Sequence, residues 1–165
     1  MNKHMPTQDE LNHAWEILSK VGMPEITIHI QGGYGKFRDS EEDEGIDKVA
    51  NLIRSMGNFN EKDGNKIGSG FKAFFKALPR INYGEGNPNN GNPLFDSVIL
   101  HGDDYIVLQA SGFEKNMKQY NWDAVEKLVE ETSSLWKADV AELLVEKPEG
   151  SRYDLTTYTI KFWWD

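Results

Sequence analysis

Six carboxylates fall within the nine positions 39–47: Asp39, Glu41, Glu42, Asp43, Glu44 and Asp47. Directly before them stand Gly32-Gly-Tyr-Gly-Lys36 and Arg38. Three chemistries use such residues: an anion cradle of bare amides and a lysine, a divalent cation site, and a recognition surface for a cationic partner. The spacing excludes the phosphate loop, which needs a glycine where Ile30 stands and a hydroxyl residue where Phe37 stands. A dinucleotide fingerprint fails as well, because Arg38 occupies the place of its third glycine. Contiguous acids at a helix start diverge, whereas a hard cation needs oxygens that converge. The nearest calcium-loop shape, Asn58-x-Asn60-x-Lys62-Asp63-Gly64, puts Lys62 on a ligand position and lacks the closing glutamate. No metal and no cofactor is therefore expected. The helix dipole rewards acids in a first turn by a few tenths to about 1 kcal/mol each, and six exceed what capping requires. The remaining choice is between a solvated helix start and a surface for a basic partner.

Elsewhere chemistry-bearing residues are scattered. His4, His13, His29 and His101 show no metal-triad spacing, and Gly68-Ser69-Gly70 is not a nucleophile elbow. The absence of cysteine removes disulfides and thiolate chemistry. His101-Gly-Asp103-Asp104 is the one place where histidine and carboxylates crowd together, and a turn explains it. An enzyme is not expected. The alternative is a small metal-dependent hydrolase, which requires His101 and distant carboxylates to converge in one pocket. Trp15, Trp122 and Trp136 lie on apolar helix faces. Trp163 and Trp164 are consecutive, so in a strand one must face away from the core; Trp164 is the candidate interface anchor. An adaptor module binding through these C-terminal aromatics is a further alternative.

The elements that must position these groups follow from periodicity. Thr7-Gln-Asp-Glu10 forms a capping box, opening a helix with Leu11, Ala14, Trp15, Leu18 and Val21 inward and stopped by Gly22 and Pro24. Ile26, Ile28 and Ile30 alternate with polar residues as a half-buried strand. A second helix is expected over 42–56, with Ile46, Val49, Ala50, Ile53 and Met56 inward and Gly57 ending it. Asn58 to Gly70 is expected to be a long loop, and Phe71 to Leu78 a short helix stopped by Pro79. Asn82 to Pro93, rich in asparagine and glycine, is expected to be a second long loop. Runs 95–100 and 105–110 predict a hairpin around 101–104. Asn121 caps a helix with Trp122, Val125, Leu128, Val129, Leu135 and Trp136 apolar. Positions 140–145 either prolong it or pair with 153–164, and the turn at 147–150 favours a C-terminal hairpin. The expected class is α+β: a mainly antiparallel sheet of about five strands with about four helices largely on one face.

Composition bounds the rest. With 165 residues, 38% hydrophobic and 12% aromatic, the chain suits one domain spanning 1–165. Residues 1–6 are expected to be disordered. The formal net charge of −9 and pI near 4.9 argue against nucleic-acid binding and for a basic partner. Neither a signal peptide nor a membrane span is legible, so a cytoplasmic location is expected.

The N-terminal helix and isoleucine strand, Gly35-x-x-Arg38-x-Ser40 opening an amphipathic helix, and the Trp122 to Trp136 helix before paired C-terminal strands resemble the immunity protein 52 family of bacterial polymorphic toxin systems. That family accompanies toxins with a restriction-endonuclease-like fold. The resemblance implies a small, acidic, non-catalytic inhibitor that binds and blocks a cognate toxin, a nuclease with a basic active-site surface. The expected contacts are Asp39, Glu41, Glu42, Asp43, Glu44, Asp47, Asp103, Asp104 and Trp164.

Overall fold

The computed structural model describes residues 7–10, 13, 25–30, 39–102, 104–147 and 154–165, with 39 and 40 described for the backbone alone. Five strands, β1 (Glu25–His29), β2 (Ser97–His101), β3 (Tyr105–Phe113), β4 (Val140–Glu146) and β5 (Leu155–Trp163), form one antiparallel sheet in the order β1-β2-β3-β5-β4. The helices are α1 (Asp39–Met56), α2 (Gly64–Ala77), the single turn α3 (Glu114–Met117) and α4 (Trp122–Trp136). This is the α+β class expected from the periodicity. At the N-terminus, the Thr7 hydroxyl accepts the Glu10 amide at 3.2 Å, and Gln8 to Glu10 are helical. The apolar positions expected between 11 and 24 lie outside the described residues, as do the glycines at 32–35. None of the described helices is long and apolar enough to cross a membrane.

Strand alternation decides which sheet face is buried. Ile26 and Ile28, Val98 and Leu100, Ile106, Leu108 and Ala110, and Tyr158, Ile160 and Phe162 all point into one hydrophobic cluster. The inward faces of α1, α2 and α4 fill the rest of it: Ile46, Val49, Ile53, Ile67, Phe71, Phe75, Val125 and Val129 are all buried. Phe74 packs edge-on to both Trp136 and Phe162, with ring centroids 5.3 and 5.5 Å away. Trp122 stacks flat on Tyr158 at 3.5 Å.

Three expectations are corrected. The segment 58–70 is not one long loop, because α2 begins at Gly64. The Asp63 carboxylate caps that start, accepting the amides of Asn65 and Lys66 at 3.1 and 3.2 Å. Its glycines signal close helix packing: a Cβ at Gly64 would stand 2.7 Å from the Gly57 carbonyl oxygen, and one at Gly68 would stand 2.8 Å from that of Ala50. Leu135, expected inward on α4, is 63% exposed. Trp164, expected to stand exposed, is fully buried, and its Nε1 donates to the Trp136 carbonyl at 3.0 Å. Its parity explains this, for 164 continues the inward series 158, 160, 162. Lys62 is buried beneath it, with Nζ 6.0 Å from the indole ring. The segment 140–146 is a strand, and Lys137 in the left-handed region (φ 55°) ends α4 before it.

If Gly64 and Gly68 mark where α2 lies against α1, alanine at either should destabilise the fold by about 1–3 kcal/mol through overpacking. That loss would outweigh the gain of up to about 1 kcal/mol in helix propensity. Gly64→Ala is expected to be the worse, since both of its nearest obstacles are backbone oxygens. Urea unfolding midpoints measure this, and unchanged midpoints would show that the helices have room to spare.

Candidate functional site

The acidic run does not form one surface. Glu42 is 1% exposed, and its two carboxylate oxygens are held by Lys76 Nζ and Arg80 Nη2 from the far end of α2 and just beyond it. It is a structural ion, and the expectation that it contacts a partner is corrected. Asp43 is half-exposed, 3.0 Å from Lys76 Nζ and 3.5 Å from Lys72 Nζ. The Lys76 hydrogen bond to Asp43 holds that carboxyl below its ordinary range. Burial works against the Lys76 ammonium, but the hydrogen bonds it donates to Glu42 and Asp43 outweigh it and raise its pKa. Glu41 is half-buried. Glu44 is exposed and bonded to Lys48 at 2.8 Å, one turn along the same helix. Asp47 is exposed. Nothing is described of the Asp39 side chain, and Asp103 lies outside the described residues. Asp104 is half-buried; its Oδ2 accepts the Trp163 indole N–H at 3.2 Å, and its carbonyl accepts the Trp164 amide at 3.0 Å. It therefore secures the end of β5.

Arg80 also reaches the second long segment. Its Nε donates to the Gly91 carbonyl at 2.8 Å, so one guanidinium ties α1 to the Asn-rich loop. That loop is ordered by its own amides. Ile81 and Asn92 pair through the Ile81 N–H at 2.7 Å, the Gly91 N–H returns to the Ile81 carbonyl at 2.9 Å, and Asn87 Oδ1 accepts the Asn89 amide at 2.8 Å. Gly84, Gly86 and Gly91 take positive φ where the chain reverses. The Tyr120 hydroxyl accepts the Asn82 amide at 3.2 Å, and burial raises its pKa.

Between this loop, the end of β3, α3 and the start of β5 lies a cleft of about 300 Å³. Tyr83 and Phe113, both about half exposed, stand at it, and Asp96 lines it. Burial raises the Asp96 carboxyl pKa; its own backbone amide and the charge of His29 oppose the shift without reversing it. Among the described residues no lysine or arginine pairs with Asp96.

The opposite sheet face carries an aromatic row. Register places Tyr105 beside His101 and Trp163, with ring centroids 6.1 Å away on each side, and Lys161 Nζ sits 4.8 Å over the Tyr105 ring. His29 Nδ1 and Ser97 Oγ are 3.1 Å apart on the same face. Among the described residues no three of His, Asp and Glu stand where they share a metal ion. His101 stacks on Tyr105.

Asp96, Arg80 and Tyr120 were not singled out by spacing. The signal that pointed toward them was the long Asn-rich segment, because the loop they order is that segment.

Glu42→Gln should cost about 1–3 kcal/mol, less than a fully buried pair because Lys76 and Arg80 remain one-third exposed. Glu44→Gln should stay within about 0.5 kcal/mol. Denaturant midpoints separate the two, and equal small effects would remove Glu42 from its structural role. For Asp96 the sign is the reverse of the usual carboxylate. Its folded pKa lies above the ordinary 3.8, so no penalty exists below that pH, and the full penalty appears once pH exceeds the raised value. Asp96→Asn should therefore raise the unfolding midpoint at neutral pH and leave it unchanged in acid. A lower midpoint at neutral pH would show the charge to be paired. The titratable groups near it are His29, Tyr83 and Tyr120.

No protein-family model, no curated protein and no solved structure matches this chain.

Proposed function

We propose that this protein is a non-catalytic inhibitor that binds and blocks a basic protein, and that its partner is a bacterial toxin of the nuclease class. The observation that carries the reading is the outer side of the α1 start. Asp43, Glu44 and Asp47 stay accessible there, on a helix whose first turns are anchored from behind by the buried Glu42. A net charge of −9 gives the whole molecule a field that attracts a cationic surface. Acids on a rigid element lose little freedom when they meet such a surface, and they accelerate encounter more than they tighten the final complex. A nuclease surface that holds phosphate is a natural target for them. The resemblance to toxin immunity proteins supplies the biological class, and the charge supplies the physical means. Asp104 and Trp164 contribute through the fold, since they hold the β5 end in place.

The reading is tested by asking whether the neighbouring gene encodes a secreted toxin, and by co-expressing such a toxin with this chain. The wild-type chain is expected to restore growth. The Glu44→Lys/Asp47→Lys double variant should fold with an unchanged unfolding midpoint yet associate about tenfold more slowly at low salt, an effect that shrinks as salt is added. Undiminished association by that variant would remove the α1 acids from the interface. Failure of the wild-type chain to protect would overturn the inhibitor reading itself.

A further inference from the structure

We propose that the cleft beside the Asn-rich loop receives a single lysine or arginine side chain presented by the protein partner, with Asp96 as its counter-ion and Tyr83 as the wall on which it stacks. The identity of the occupant as part of a protein rests on the inhibitor reading above; its charge and size rest on the cleft alone.

At about 300 Å³ the cleft lies at the small end of ligand cavities, which run from roughly 300 to 1,000 Å³. It suits one long side chain. Its described lining contains no cation, and Asp96 is the one carboxylate in it. Leu94 and Met117 line it beside Asn89 and Asn116, residue types that suit the aliphatic stem and the N–H groups of such a side chain. Tyr83 is 52% exposed at the cleft, where a guanidinium or ammonium meets the ring face.

The competing explanation is that Asp96 merely leads into β2. That role belongs to its backbone, whose carbonyl accepts the Ile30 amide at 2.8 Å. What local backbone amide attraction its side chain feels is open to an asparagine oxygen as well. Beyond an attraction to His29 that burial outweighs, the charge meets no partner among the described residues that a neutral residue would lack, and burial penalises it. A cation entering from outside would reverse that penalty, because the same low-dielectric surroundings that disfavour a lone carboxylate strengthen its ion pair. The loop that closes the cleft is held in place before any partner arrives, through Arg80 on Gly91 and Tyr120 on Asn82. Little ordering is left to be done on binding.

The test needs no toxin. Amide shifts of the full-length chain are followed by NMR while Nα-acetyl-arginine methylamide, Nα-acetyl-lysine methylamide or the neutral Nα-acetyl-norleucine methylamide is added. Either cationic amide is expected to give saturable shifts at Tyr83, Asn89, Ser111 and Asn116. Asp96→Asn, which should fold at least as stably as the parent, is expected to weaken binding about tenfold or more. Tyr83→Ala is expected to weaken it about two- to fivefold. Equal shifts from the norleucine amide, undiminished binding by Asp96→Asn, or shifts confined to the α1 acids would each overturn the proposal. A negative result here with toxin protection intact removes the cleft and leaves the inhibitor reading standing. Saturable binding here without toxin protection does the opposite.

Discussion

The geometry of this protein depends on one buried carboxylate. Glu42 sits almost without solvent contact in the first turns of α1, and a lone ion there would cost several kcal/mol. It is tolerable because Lys76 and Arg80 approach both of its oxygens, and they do so only if α2 lies close along α1. Gly64 and Gly68 permit that approach by leaving room for carbonyl oxygens where a methyl group would stand. Arg80 then uses its remaining Nε–H on Gly91, so the position of the Asn-rich loop follows from the position of the helix pair. The cleft exists because that loop is fixed. A single ionic joint therefore connects the acidic helix start, the helix interface and the Asn-rich loop.

The parts legible in the sequence were those decided by local period. Ile26, Ile28 and Ile30 alternate, and all three are buried; Ile46, Val49, Ala50, Ile53 and Met56 recur at helical spacing, and all are buried. The start of α2 was not legible, because glycine has two uses. Gly64, Gly68 and Gly70 read locally as the freedom of a loop, whereas Gly64 and Gly68 provide closeness to a neighbouring helix, which no local pattern reveals. Trp164 illustrates a different failure. The inward parity of Tyr158, Ile160 and Phe162 places it in the core and leaves Trp163 as the outward member of the pair.

The acids show why a charge run is a poor map of a surface. Six carboxylates in nine positions read as a uniform patch, yet a helix turns by 100° per residue and distributes them around its circumference. Glu42 faces α2, Asp43 stands at the border under two lysines, and Glu44 and Asp47 remain outside. Burial and pairing depend on what a distant segment brings, in this case Lys72, Lys76 and Arg80, about thirty to forty residues later in order along the chain. Only contacts of that length decide which acids are free to meet a partner.

Glu42 and Asp96 make the sharper comparison. Both are acids removed from water in part or in full, yet the chain supplies two cations to one and no lysine or arginine among the described residues to the other. A fold that can place Lys76 and Arg80 with such economy is not short of cations, since it carries 18 lysines and arginines in all. A carboxylate with no lysine or arginine partner among the described residues is a local cost to stability, and such costs persist where they serve something other than the fold. At Asp96 the cost coincides with an open cleft, a half-exposed tyrosine and a loop already locked in position. Among the described residues no lysine or arginine supplies that charge, and the proposed partner side chain would bring it from outside.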